Sequence, residues 1–174
     1  DFFGAPLGQH ILALEIDARK TLLDDKATEA AAQLWGRALN GKTHRAAQIN
    51  RFAEINDLVE SNVIGALNGN LAFYRGMNAA GAFPQPMPED DMLAEVWGQE
   101  SDVRRDTTEW LFPFLMLAYQ PLSDQELDAY IAFSTTPAGQ KANRAVFAAF
   151  DAMFVQVSKE LGQSAGRLMA GQDI

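Results

Sequence analysis

The sequence predicts an all-α, single-domain bundle of about six to eight helices, with one kinked, apolar helix at its centre. Three observations predict it. Apolar side chains recur at helical period along nearly the whole chain, while strand alternation is convincing nowhere. Two helix starts follow each other between Pro121 and Gln140. The clearest punctuation is a proline-rich stretch from Gly81 to Pro88.

Taken in order, Leu7, Ile11, Leu14, Ala18 and Leu22 share one helical stripe. Ala27, Ala31, Leu34, Trp35 and Ala38 form the next, starting at Asp24 or Asp25 and stopped by Asn40 and Gly41. From Thr43 a long pattern runs through Ile49, Phe52, Ile55, Val59, Val63, Leu67, Leu71, Tyr74 and Met77. Asn68, Gly69 and Asn70 are poor helix-interior residues, so a break or kink is expected there. Pro84, Pro86 and Pro88 then forbid helix. They read as a stiff connector (81–88) between N-terminal helices (1–80) and C-terminal helices (89–174) of one domain. A polyproline ligand for an aromatic groove is the other reading of so short a segment.

Glu89, Asp90 and Asp91 place acid at a helix N-terminus, where the macrodipole favours it. That helix is expected to bury Met92, Leu93, Val96, Trp97, Val103, Thr107 and Trp110, with Glu100–Arg104 and Arg105–Glu109 as i,i+4 pairs. Past Trp110 the polar face vanishes. Leu111, Phe112, Phe114, Leu115, Met116 and Leu117 cover every direction, so 110–119 belongs at the centre of the bundle. Pro113 removes one backbone donor and should kink that helix.

Ser123 and Glu126 have the spacing of a capping box, and Leu122 with Leu127 that of a hydrophobic staple. Leu127, Tyr130 and Ile131 form the buried face of this helix. Thr136 and Pro137 then reopen the chain as N-cap and N1 of a last helix. Val146, Phe150, Met153, Val157 and Leu161 form its stripe, widened by Phe147 and Phe154. No fixed-period repeat emerges, which excludes a solenoid.

The Pro-Leu-Ser-x-x-Glu-Leu and Thr-Pro-Ala-Gly-Gln runs resemble the C-terminal signature of a bacterial, exported, all-helical family known as a domain of unknown function. The resemblance is most specific over Pro121 to Phe150, looser back to about Asn50, and slight in the first forty residues. It implies a helical fold and a periplasmic or secreted location. It brings no activity, cofactor or catalytic residue.

Composition sets the other bounds. The 174 residues are 48% apolar, with net charge −9 and pI near 4.6. That is enough apolar material for a real core, and a chain this long buries about 70% of its unfolded surface. A surface so acidic repels nucleic-acid phosphates and anionic headgroups, which argues against both as partners. With no cysteine there is no disulfide, thiol nucleophile or thiolate metal site. The chain begins at Asp1 without methionine, as expected of a processed or trimmed start. Its longest apolar run, Trp110 to Tyr119, is far short of the roughly 20 residues of a membrane span.

Each chemical motif meets a plainer explanation. Gly162-Gln163-Ser164-Ala165-Gly166 matches a nucleophile elbow, but helical sequence precedes it and both histidines lie upstream. His10 and His44 lack a ligand partner four residues on, which leaves only a metal site assembled in three dimensions with an acid. The acids Glu54, Asp57 and Glu60, Glu89, Asp90 and Asp91, or Asp102, Asp106 and Glu109, sit on polar helix faces, where solvation is the ordinary outcome. Ser61, Gly65 and Gly69 form a small-residue ridge suited to close helix approach, and a polar core contact is expected beside it at Asn62.

No catalytic, metal or cofactor site is therefore assigned. The leading expectation is a non-enzymatic envelope protein that binds another protein or an envelope component. It requires an exposed apolar patch of several hundred Å². The alternative is a binder of an apolar or amphipathic small molecule, lined by Phe112, Phe114, Met116, Phe147, Phe150, Met153 and Phe154. An enzyme using carboxylates comes third.

Overall fold

In the computed structural model, residues 2–171 are described and form eight α-helices, with no strand among them. They are α1 (Pro6–Thr21), α2 (Asp25–Asn40), α3 (His44–Ile55), α4 (Leu58–Ala79), α5 (Glu89–Trp97), α6 (Glu100–Tyr119), α7 (Asp124–Ser134) and α8 (Pro137–Met169). The all-α class read from the periodicity is the class adopted. Two compact units are present. The first comprises the chain up to Val59 with Asp106–Asn143, the second Glu60–Arg105 with the chain from Arg144. The proline-rich segment falls inside the second.

Four helix starts in the first unit, those of α2, α3, α7 and α8, follow side-chain chemistry. Asp24 Oδ1 accepts from the Ala27 amide at 2.9 Å, and Thr43 Oγ1 from Ala46 at 3.2 Å. The capping box forms as spelled: the Glu126 amide donates to Ser123 Oγ, and the Ser123 amide to Glu126 Oε2 at 2.8 Å. Both staple residues, Leu122 and Leu127, are buried. The Gly139 amide donates to Thr136 Oγ1 at 3.1 Å, with Pro137 as the first helical residue of α8.

These caps frame a dense core of Ile11, Ile49, Phe52, Leu115, Tyr119, Leu127 and Ile131. Within it α3 packs against α7, and α2 against α3. α6 continues through Pro113 and buries Leu111, Phe114, Leu115, Met116, Ala118 and Tyr119, as a central apolar segment should. Trp110 departs from expectation and stays half exposed.

The long 43–80 pattern breaks at Asn56 and Asp57, not at Asn68–Asn70. Asn56 closes α3 by donating its side-chain amide to the Phe52 carbonyl at 2.9 Å, and Asp57 takes a left-handed φ of 52°. Tertiary contacts override weak propensity at the expected site. Asn68 Nδ2 reaches Asp151 Oδ1 at 2.9 Å and Asn70 Nδ2 reaches Gln99 Oε1 at 3.0 Å, so both side chains are spent on neighbours and not on capping.

In the second unit Gly98 ends α5, so the helix expected from Glu89 to Trp110 is two helices. Met92 and Val96 are buried, whereas Leu93 and Trp97, one step round the helix, are exposed, Trp97 by 70%. The connector is pinned by Asn78, whose amide donates to the Met87 carbonyl at 3.0 Å while its oxygen accepts from the Met87 amide at 2.8 Å. Arg75 pairs with Glu89 beside it. Arg104 bridges Glu100 (2.6 Å) and Glu60 (2.7 Å), and Arg105 pairs back to Asp102 at 2.7 Å.

Candidate functional site

α8 holds the feature that sets this molecule apart. It is 33 residues long, and its only buried residues are Gly139, Gly162 and Gly166. Large apolar side chains expected to form its buried stripe face outward: Val146, Phe150, Met153, Phe154, Val157 and Leu161 are each roughly half exposed or more, Leu161 by 60%, and Leu168, further along the same face, is exposed as well. At 3.6 residues per turn they fall within an arc of about 100°. Phe147 at its margin is half-buried.

The reason lies on the other side of the helix. A Cβ on Gly162 would collide with the Phe73 carbonyl oxygen, and one on Gly166 would stand 2.7 Å from Ala80 Cβ and 2.9 Å from the Met77 oxygen. A Cβ on Gly76 would strike the Lys159 carbonyl oxygen, and one on Gly69 would lie 3.3 Å from Ser158 Oγ. α4 and α8 thus approach backbone to backbone through small residues, and the bulky face points away. The ridge expected at Ser61, Gly65 and Gly69 is displaced towards the C-terminus of α4. A Cβ on Gly65 would meet nothing within 4 Å, and among the α4 glycines Gly76 is the most tightly packed.

The same packing disposes of the elbow motif. Gly162 to Gly166 lies inside α8, its glycines are used for close approach, and Ser164 Oγ donates to the Glu160 carbonyl at 3.0 Å. A nucleophile elbow needs a strained strand-to-helix turn.

The seven candidate ligand-lining residues divide between the two units. In the first unit Phe112 stacks on Trp35 at 5.1 Å, and Phe114 lies under the Arg19 guanidinium at 4.7 Å and against Trp110. Met116 is buried. In the second, Phe147, Phe150, Met153 and Phe154 belong to the outward face of α8. An open recess of about 380 Å³ lies beside Ala79, Ala80, Gly81, Gln163 and Arg167, and none of the seven lines it.

Both histidines, and most of the acids singled out in the sequence, lie at the surface. His44 Nδ1 lies 3.3 Å from Asp124 Oδ2, both exposed, and His10 is exposed. No three His, Asp or Glu side chains converge as metal ligands among the described residues. One half-buried acid, Glu15, is a residue that sequence reasoning passed over. Tyr119 Oη donates to Glu15 Oε1 at 2.7 Å, joining α1 to α6. Burial first of all raises the Glu15 carboxyl above its ordinary value, against the lowering effect of the Tyr119 hydrogen bond and of Arg19. Burial likewise raises the Tyr119 and Tyr130 phenols, whose rings meet edge to face at 6.0 Å. The available signal was Glu15's place between Ile11 and Ala18, both on the buried stripe.

The buried polar residues are Gln48, Asn56 and Ser134, and Asn62 is only half-buried. Most of the polar residues around the Pro121–Gln140 signature serve helix ends. Arg45 donates to the Tyr119 and Leu122 carbonyls at 3.0 and 2.6 Å and to Asp124 at 2.9 Å. Gln48 donates to the Asp124 carbonyl and to Asp128, both at 2.9 Å. Gln140 donates to the last carbonyls of α3 and α7, Ile55 at 2.9 Å and Ser134 at 2.8 Å, and Asn143 to the Asn56 carbonyl at 2.8 Å. A Cβ on Gly139 would lie 2.9 Å from Ser134 Cα. Gln140 and Asn143 thus satisfy orphan carbonyls at the ends of α3 and α7, and Arg45 those at the end of α6.

No protein-family model, curated protein or solved structure matches the chain. No helix among the described residues is long and apolar enough to cross a membrane.

Proposed function

We propose that this chain is a non-enzymatic helical interaction protein of the bacterial cell envelope, docking through the outward apolar face of α8. One observation carries the reading. A helix of 33 residues buries only glycines while seven large apolar side chains stand roughly half exposed or more along one face. Contiguous apolar patches of this extent mark sites of macromolecular contact. Within the face, charge is sparse: between Arg144 and Lys159 only Asp151 is charged. Depletion of charge at the centre is what distinguishes interface cores from ordinary surface. The envelope location rests on the Pro121–Phe150 resemblance.

The test is site-specific photocrosslinking in the cell that makes the protein, with the reactive residue at Phe154 or Leu161, and at Ala30 on the exposed side of α2 as control. Protein adducts from the two α8 positions and not from Ala30 are expected. Equal yields from all three would remove the docking reading. Cell fractionation tests the location separately, and recovery only with cytosolic markers would remove the envelope assignment.

A further inference from the structure

Resting on that reading, we infer that the occupant of the α8 face is a second copy of this chain, the two copies pairing α8 against α8. Spacing is the first ground. Phe147, Phe150, Phe154, Val157, Leu161, Ser164 and Leu168 follow one another at alternating steps of three and four residues. This is the seam that packs knobs into holes against another helix, with Ser164 its single polar member. A helix carrying such a seam is its own complement, and a two-fold pairing uses one surface twice.

Size is the second ground. The exposed side chains of the face present on the order of 700 Å² per copy, close to the ~800 Å² each partner contributes to a standard interface.

The thin interior of the second unit is the third. Its buried apolar residues are Val63, Leu67, Ala72, Met92 and Val96, and α8 supplies none. Interfaces between identical subunits resemble a core cut in half, and the α8 face is the missing half by composition. Charge agrees. A chain of net charge −9 repels its own copy over most of its surface. From 145 to 158 the single charge, Asp151, already accepts a hydrogen bond from Asn68. The same net acidity disfavours an anionic lipid surface as the occupant.

Sedimentation of the purified chain between about 1 and 100 µM tests the pairing. A dimer is expected, with Phe154→Glu/Leu161→Glu shifting its dissociation constant upward by about a hundredfold or more. Circular dichroism should show unchanged helix content, because both side chains are already half in water. A second measurement does not depend on that variant. Since the chain has no cysteine, single-cysteine variants Phe150→Cys, Val157→Cys and Leu161→Cys, mixed pairwise and oxidised, should give disulfide-linked dimers that Ala30→Cys does not. A wild-type chain monomeric throughout the range, or cysteine crosslinking no better than at Ala30→Cys, overturns the pairing. A monomer whose Phe154 still photocrosslinks to a different protein overturns the pairing alone and leaves the docking reading intact.

Discussion

Gly76 of α4 and Gly162 of α8 lie face to face, so close that a Cβ on Gly76 would stand 3.1 Å from the Gly162 carbonyl carbon and 2.9 Å from the Gln163 nitrogen. These are backbone atoms and cannot swing aside as a side-chain tip does. The contact fixes which side of α8 is turned inward, and so which side is left for a partner.

Gly162→Ala should therefore destabilise the protein by about 2 kcal/mol or more, since overpacking against backbone forces a helix to shift. Gly65→Ala, at a helical position with nothing within 4 Å, should stabilise by up to ~1 kcal/mol through helix propensity. Urea unfolding with a common slope checks both. Equal stability of Gly162→Ala and wild type would mean the two helices do not meet this way.

Arg45→Ala should lose about 2 kcal/mol, because the Tyr119 and Leu122 carbonyls and Asp124 all lose a charged donor. Arg45→Lys should recover little of it. One ammonium on a flexible stem does not reproduce a planar fork aimed at three acceptors. Thermal melts of the three proteins decide, and a Lys variant matching wild type would refute the fork argument.

Gln140→Glu should cost more than Gln140→Ala. The amide donates to two carbonyl oxygens, Ile55 and Ser134. Alanine leaves both without that donor, at about 1–3 kcal/mol, while a carboxylate adds repulsion against each. Denaturant titration of both variants above pH 6 reads the order directly.

The Glu15 knot predicts a pH dependence of definite sign. With its folded pKa raised by burial, Glu15 holds its proton more tightly in the native state than in the unfolded chain. Its stabilising contribution is thus complete below about pH 4.5 and is lost as pH climbs through the raised folded value. Glu15→Gln, which keeps an acceptor for Tyr119, should flatten that loss and be the more stable protein at neutral pH. Tyr119 and Tyr130 are raised as well, so native stability should fall again once pH passes about 10, where unfolded phenols ionise first. Stability measured from pH 4 to 11 tests both limbs. A neutral-pH stability of Glu15→Gln below wild type would contradict the sign.

The candidate docking face was half legible in the sequence. Its residues were, because Val146, Phe150, Met153, Val157 and Leu161 recur at helical period whatever surrounds them. Their exposure was not, because periodicity names a face without naming its neighbour. The signature residues fared similarly. Ser123, Glu126, Thr136 and Pro137 act within three residues of themselves and were read correctly. Arg45 and Gln140, which reach carbonyls more than seventy positions away in sequence, left no local trace.

By itself the sequence determined that the chain is helical and where most of its helices begin, since caps, prolines and apolar period all act over one or two turns. Only the tertiary structure decided that α3 ends at Asn56, that Glu15 is drawn inside, and that α8 turns its glycines inward and its phenylalanines out. Those outcomes depend on which surfaces meet. Where Gly76, Gly162 and Gly166 let two backbones come together, close approach prevailed over the burial of larger side chains on the opposite face.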